Sequence, residues 1–368
     1  MKALPFVLIL LVFLGGNFYV FYRLWNMMPA NVIVRTLFVV FAIAAVSSIF
    51  IYFLLGNSLS ALLSTVIYKL GTSWIFIFLY MLMAMLVLDL LRITHLFPLE
   101  KYMYNNWLGF GVVVGLVAII MIGGNIKYHN KTRVDLPLTL NKATANGNSL
   151  KIVAISDMHL GYGIGKGELS KWIQLINKEE PDVVLIAGDI IDNNVKPLYE
   201  QSMQEEFLKI KSRYGVFACA GNHEYIANIS QSLNFLDQTN VNLLRDSVVL
   251  IDNSFYIVGR DDRMNLRRKS VEQLTAGLDR SKPIIMLDHQ PYHLEEAEKN
   301  GIDLQISGHT HRGQVWPITW ITDAIYEVSH GYKKKGNTNI YVSSGIGLWG
   351  GKFRIGSQSE YVVINLNP

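Results

Sequence analysis

Five short segments beyond residue 150 carry aspartate, histidine and asparagine in a fixed order. They are Asp157-Met158-His159, Gly188-Asp189, Gly221-Asn222-His223-Glu224, Asp288-His289, and Gly308-His309-Thr310-His311. Carboxylate, amide and imidazole groups are oxygen and nitrogen donors, the set that suits manganese, iron or zinc. Any one fragment is weak, since Gly-Asp ends many strands and Gly-His-Thr-His could sit in an ordinary loop. Together they point to a two-metal hydrolytic centre.

Donors this far apart in sequence need a scaffold that gathers them. Each cluster stands behind a short apolar run, at Lys151–Ser156, Val183–Ala187, Val216–Ala220, Ile284–Asp288 and Leu304–Ser307. Such runs read as buried parallel strands. Open α/β sheets place their sites at the carboxyl ends of neighbouring strands, where these donors would meet. Further strands are expected at Arg133–Leu140, Phe255–Gly259, Ile340–Ser343 and Tyr361–Leu366, with helices near 166–179 and 200–212. Cys219, the one cysteine, lies in an apolar run and reads as a buried strand residue. With a single cysteine, no intramolecular disulfide can form.

The stretch Ser156-Asp157-Met158-His159-Leu160-Gly161, the turn Gly221-Asn222-His223-Glu224, and Gly308-His309-Thr310-His311-Arg312-Gly313-Gln314 resemble the calcineurin-like metallophosphoesterases, over roughly residues 149–367. They are most similar to a membrane-attached bacterial phosphodiesterase branch. The resemblance implies a four-layer α/β/β/α sandwich and two divalent ions. It implies that Asp157, His159 and His311 hold one ion, that Asn222, His289 and His309 hold the other, and that Asp189 bridges them. Two ions about 3.5–4 Å apart would acidify a shared water to hydroxide for in-line attack on phosphorus. His223 resembles the family's histidine outside the ligand set, which would protonate the leaving group or hydrogen-bond the phosphoryl oxygen. The alternative for His223 is to orient Asn222 or a carboxylate. Glu224 stands where many members have aspartate and is expected to fix the turn, while Asp192 and Asp288 read as supporting residues.

The first third of the chain is different. Hydrophobic residues make up 51% of the sequence and charged residues 17%. Residues 1–126 hold only six of the 33 basic and two of the 29 acidic residues, leaving 27 of each for the rest. The remainder is neutral, so the charge balance gives no case for nucleic-acid binding. Four apolar stretches, near 4–22, 34–55, 73–91 and 107–124, are long enough to cross a bilayer. The apolar segment 57–70 is shorter and reads as a re-entrant or interfacial helix. The expected organisation is a four-helix transmembrane domain over 1–126, a linker over 127–148 and the metallophosphoesterase domain over 149–368. Five flanking cations against four place the catalytic domain on the cytoplasmic side of the inner membrane. Asp89, Arg92 and His95, at helical spacing near the third span's end, read as side chains snorkelling to the interface, with a functional intramembrane pair as the alternative.

Two basic clusters, Arg260 to Lys269 and Lys333-Lys334-Lys335, could hold a substrate phosphate or an anionic lipid surface, or simply be solvated. The stretch Trp316-Pro317-Ile318-Thr319-Trp320 could roof the site, dip into the bilayer interface or pack in the core. The expected partners are a phosphorylated substrate, lipid-linked in view of the tether, and the membrane itself. Some members of the family hydrolyse UDP-diacylglucosamine in lipid A synthesis. A phospholigand-binding membrane receptor without catalysis is the alternative from another class.

Overall fold

A computed structural model of the protein describes residues 3–56, 58–95, 98–140, 142 and 149–367. The chain divides into two units, Met1–Ile126 with Gly350–Phe353, and Lys127–Trp349 with Arg354–Pro368. The expected linker residues Asn146, Gly147 and Asn148 lie outside the described residues.

The first unit is helical. Its long helices are α1 (Ala3–Met27), α2 (Val32–Leu55), α3 (Ala61–Ile93) and α4 (Trp107–His129), the last continuing into the second unit. Among the described residues three of these, α2, α3 and α4, are long and apolar enough to cross a membrane. The expected span at 4–22 lies within α1, so the count of four is approximate. The segment 57–70 differs from its expected role. From Ala61 onward it is the first part of α3, which runs 33 residues without a break. Gly71 does not interrupt it. A side chain there would press on the Ile49 backbone, its Cβ 2.6 Å from the Ile49 nitrogen, so the glycine lets α2 and α3 approach closely. Asp89 pairs with Arg23 of α1 at 2.5 Å rather than with Arg92 or His95. Tyr19 also donates its hydroxyl to Asp89, so one carboxylate of α3 meets two donors of α1.

The second unit holds two six-stranded sheets. The first runs β1 (Thr132–Thr139), β12 (Glu360–Asn367), β2 (Leu150–Ile155), β3 (Val183–Ala187), β4 (Val216–Cys219), β5 (Val241–Leu244). The second runs β10 (Gly331–Lys335), β11 (Thr338–Val342), β9 (Leu304–Ser307), β8 (Ile284–Leu287), β7 (Phe255–Gly259), β6 (Ser247–Ile251). The strands β2 to β5 are mutually parallel, as are β7, β8, β9 and β11. One apolar layer between the sheets joins Ile152, Leu185 and Phe217 to Ile257, Ile285 and Ile306. The outer face of the first sheet packs Val153, Val184 and Ile186 against Trp172 and Ile173 of α5 (Lys166–Lys178) and against Phe235 and Leu236 of α6 (Ile229–Leu236). The outer face of the second packs Val258 and Met286 against Val271 and Ala297, from α7 (Val271–Thr275) and α8 (Glu295–Lys299). Strands buried on both faces read as continuous apolar runs, which is why they were visible in the sequence. The helix expected near 200–212 is instead two single turns, Lys196–Glu200 and Gln204–Phe207. Ser202 lies between them at φ 49°, outside the right-handed helical region.

Candidate metal centre

Every proposed donor leaves the carboxyl end of a strand or the turn that follows it. Asp157 and His159 follow β2, Asp189 follows β3, Asn222 and His223 follow β4, His289 follows β8, and His309 and His311 follow β9. Five of the seven predicted ligands, Asp157, His159, Asp189, His309 and His311, have φ between 46° and 70°. Left-handed backbone costs a residue with a Cβ about 1–3 kcal/mol and is retained where the surroundings over-determine it. Sharp reversals at the strand ends turn the side chains into one space.

That space holds two groups of donors. Asp157, His159 and His311 each offer one atom, all within 4.8 Å of one another, and so do Asp189, His289 and His309. In the first group His159 Nε2 faces His311 Nε2 at 3.0 Å, and His311 Nε2 lies 3.6 Å from Asp157 Oδ1. In the second, His289 Nε2 lies 3.1 Å from Asp189 Oδ2 and 3.2 Å from Asn222 Oδ1. Asn222 Oδ1 also meets His309 Nδ1 at 2.8 Å. Asp189 Oδ2 stands 3.7 Å from His159 Nε2, so one carboxylate oxygen faces both groups. A third group, His159, Asp192 and His223, overlaps the first.

The donor chemistry fits divalent ions. His289 donates Nδ1–H to the Ala187 carbonyl at 2.7 Å, which leaves Nε2 as a lone pair in the neutral ring. Nε2 of His289, Oδ2 of Asp189 and Oδ1 of Asn222 are then three acceptors converging without a proton among them. Only a positive charge reconciles them, from a cation or from protonation of the ring. Burial alone would lower the His289 pKa, but the adjacent Asp189 carboxylate raises it well above the ordinary value. The buried Nδ1 of His311 has no hydrogen-bond partner. Burial and the neighbouring His159 hold the His311 pKa far below the usual range, which keeps that ring neutral and free to donate. Burial and His289 similarly lower His309 to about 3.

The supporting residues are explicit. Glu224 is buried and accepts four backbone N–H groups, from Asp189 (3.1 Å), Ile190 (2.8 Å), Ile191 (3.0 Å) and Gly221 (2.7 Å). It therefore fixes the Asp189 turn as well as its own. Gly221 is required by proximity, because a Cβ there would collide with Asp189 Oδ1. His223 is not in either primary donor group. Its Nδ1 donates to the Asp192 carbonyl at 2.7 Å, and its ring meets the His159 ring edge-on at 4.5 Å. Sequence reasoning missed Arg354, which is fully buried and gives Nη1–H to the His311 carbonyl at 2.8 Å and Nη2–H to the carbonyls of Ser344 and Gly347. No local motif announces it, since its partners are the Ser359 hydroxyl and backbone carbonyls, which no residue type marks in the sequence.

Half of the eight cations in the two basic clusters are taken up by internal ion pairs. Arg260 is buried between Asp288 (3.1 Å) and Glu296 (2.8 Å), and Arg268 also pairs with Asp288 (3.3 Å). Lys333 and Lys335 both pair with Glu327. Of the aromatic stretch, Thr319 is buried, while Trp320 is 66% exposed on α9 (Ile318–Ile325).

The calcineurin-like phosphoesterase family matches residues 150–313. A metallophosphoesterase of Helicobacter pylori is 31% identical over 277 residues, 74% of this chain and 73% of that protein. One from Aquifex aeolicus is 33% identical over 60% of this chain and 86% of its own length. A "transmembrane protein with metallophosphoesterase domain" from Danio rerio is 30% identical over 68% of this chain and 61% of that protein. With strands, donor clusters and relatives in agreement, the chain belongs to the calcineurin-like metallophosphoesterase family and is a metal-dependent phosphoesterase carrying helices fit to cross a membrane.

Proposed function

We propose that the protein is a membrane-embedded phosphohydrolase with a dinuclear metal centre, cleaving a phosphoester or pyrophosphate of a lipid-linked substrate. The observation that carries this reading is the position of Asp189 Oδ2 between Nε2 of His289 (3.1 Å) and Nε2 of His159 (3.7 Å). A carboxylate facing two donor groups is the arrangement that two adjacent cations require. In this assignment Asp157, His159 and His311 hold one ion, Asn222, His289 and His309 hold the other, and Asp189 serves both. Two such ions supply an activated water and neutralise charge on the phosphoryl oxygens; manganese, iron and zinc all suit the donors.

The chain's own residues supply the rest. His223, half-buried beside His159, is tied at Nδ1 to Asp192, so its Nε2 is the atom left to meet a leaving-group oxygen. The lipid-linked reading is supported by α9. This helix packs on the turn His311–Gly313 and exposes Trp320, Ile321 and Ile325, while Tyr326 at its end lies 6.3 Å from the His309 ring. An apolar surface beside a phosphate-cleaving centre suits a substrate with a hydrocarbon part. We infer that the catalytic unit faces the cytoplasm at the inner membrane, a reading that Lys2, Lys127, Lys131 and Arg133 favour, whereas Lys69 lies inside α3 and no longer counts as a flank.

The test is hydrolysis by the detergent-solubilised full chain with manganese, iron or zinc. Bis-p-nitrophenyl phosphate, p-nitrophenyl phosphate, UDP-diacylglucosamine and a total lipid extract would be offered, the last read by mass spectrometry. Consumption of a lipid phosphoester that Trp320→Ser slows more than it slows bis-p-nitrophenyl phosphate supports the reading. Turnover of soluble esters alone removes the lipid-linked part, and no turnover with two metals bound favours a receptor.

A further inference from the structure

We propose that a groove at the carboxyl end of α4 binds the phosphate of an anionic phospholipid headgroup. The helix Trp107–His129 has 23 residues. At 1.5 Å per residue its length is about 34 Å, close to the roughly 30 Å hydrocarbon core of a bilayer. When α4 spans, the residues at its end therefore lie at headgroup level. There a groove of about 750 Å³ is lined by His129 and Lys131 from the chain leaving the helix, and by Glu168, Lys171, Trp172 and Lys178 of α5.

The chemistry of the groove is cationic around an aromatic floor. Lys131 Nζ is held 3.6 Å from the Tyr128 ring centroid and 5.1 Å from that of the buried Trp172. Lys171 and Lys178 are both exposed and seven residues apart on α5, which puts them on one face of the helix. Neither forms an ion pair among the described residues, in contrast to Arg260, Arg268, Lys333 and Lys335. The single carboxylate in the groove, Glu168, accepts the Tyr128 hydroxyl at 2.7 Å. Two exposed lysines without an ion pair, beside Lys131 and next to the end of a membrane span, make a place where a phosphodiester anion supplies counter-charge.

The inference rests on α4 crossing the bilayer and not on the hydrolytic reading, and its test needs no turnover. Full-length protein is stripped of lipid in neutral detergent, and binding of phosphatidylglycerol, phosphatidylcholine and soluble glycerol phosphate is measured by native mass spectrometry. The expected result is one retained phosphatidylglycerol, preferred over phosphatidylcholine by at least tenfold. Lys171→Gln with Lys178→Gln should abolish that preference, and Lys171→Arg with Lys178→Arg should keep it, with hydrolysis of bis-p-nitrophenyl phosphate unchanged in both. A wild-type protein without preference, or a preference that survives the glutamine pair, overturns the proposal. Glycerol phosphate binding as tightly as the lipid would make this a free-phosphate site and overturn the lipid assignment.

Discussion

The Oδ2 atom of Asp189 lies 3.1 Å from Nε2 of His289 and faces Nε2 of His159 at 3.7 Å. No other carboxylate among the described residues joins the two primary donor groups in this way. Asp189→Ala should therefore empty both positions together. Metal per purified chain, read by elemental analysis, should fall from about two to well below one. Hydrolysis should drop by at least roughly 10²–10³-fold, the scale seen when one preorganised charge partner of a transition state is removed. Retention of two ions by this variant would sink the bridging role.

His223 should behave differently, because its ring is tied to Asp192 and stands outside both primary groups. His223→Ala is expected to keep both metals and lose roughly 10²–10⁴-fold in kcat, the range for a positioned general acid. The loss should be larger for an alkyl phosphoester than for a p-nitrophenyl ester, whose leaving group needs little protonation. Equal losses on both substrates, or a loss of metal, would instead make His223 a residue that only orients its neighbours.

Glu224 offers both oxygens to four backbone N–H groups, three of them in the Asp189 turn. Glu224→Gln replaces one acceptor by an N–H₂ group pointed at donors. Each buried N–H left unpaired costs about 1–3 kcal/mol, so a loss of about 2–4 kcal/mol is expected overall. It should appear as a lowered Tm and weaker metal binding, with the leaving-group dependence of the residual activity unchanged. An unaltered Tm would mean that the turn holds without this carboxylate.

Much of this was legible because the donors are local to strand ends. The apolar runs before Asp157, Asp189, His289 and His309 are buried on both faces, so they read as continuous hydrophobic segments with a polar stop. What was not legible depends on pairing across distance. The arginines at 260 and 268 look like an anion site until β8 brings Asp288 beside them. Asp89 looks like a partner of Arg92 until α1 supplies Arg23. The break at Ser202 and the left-handed φ of five donor residues are backbone conformations that no hydrophobic period encodes. Arg354 is the extreme case, an isolated charge in sequence whose carbonyl partners come from the 344–347 loop and from the distant His311 turn.

Glu360 gives a test of stability that is independent of metal. It is buried on β12 and accepts hydrogen bonds from the Tyr341 hydroxyl (3.0 Å), the Ser344 amide (3.1 Å) and Gln358 (2.9 Å), with His330 Nε2 at 3.0 Å. Burial pushes its pKa up, but the His330 contact and the surrounding donors outweigh that and lower it to about 2. The folded pKa lies below the unfolded one, so the stabilisation is complete above an unfolded glutamate's value near 4.5 and is lost as pH falls from there toward 2. A shift of that size corresponds to about 3 kcal/mol at neutral pH. The wild-type protein in detergent should therefore melt several degrees above Glu360→Gln at pH 6. The two curves should converge between pH 4.5 and 2.5 if the carboxylate is the source of the difference. A gap that stays constant down to pH 2.5 would assign it to packing and hydrogen-bond geometry, because only an ionised Glu360 can lose its advantage by taking up a proton.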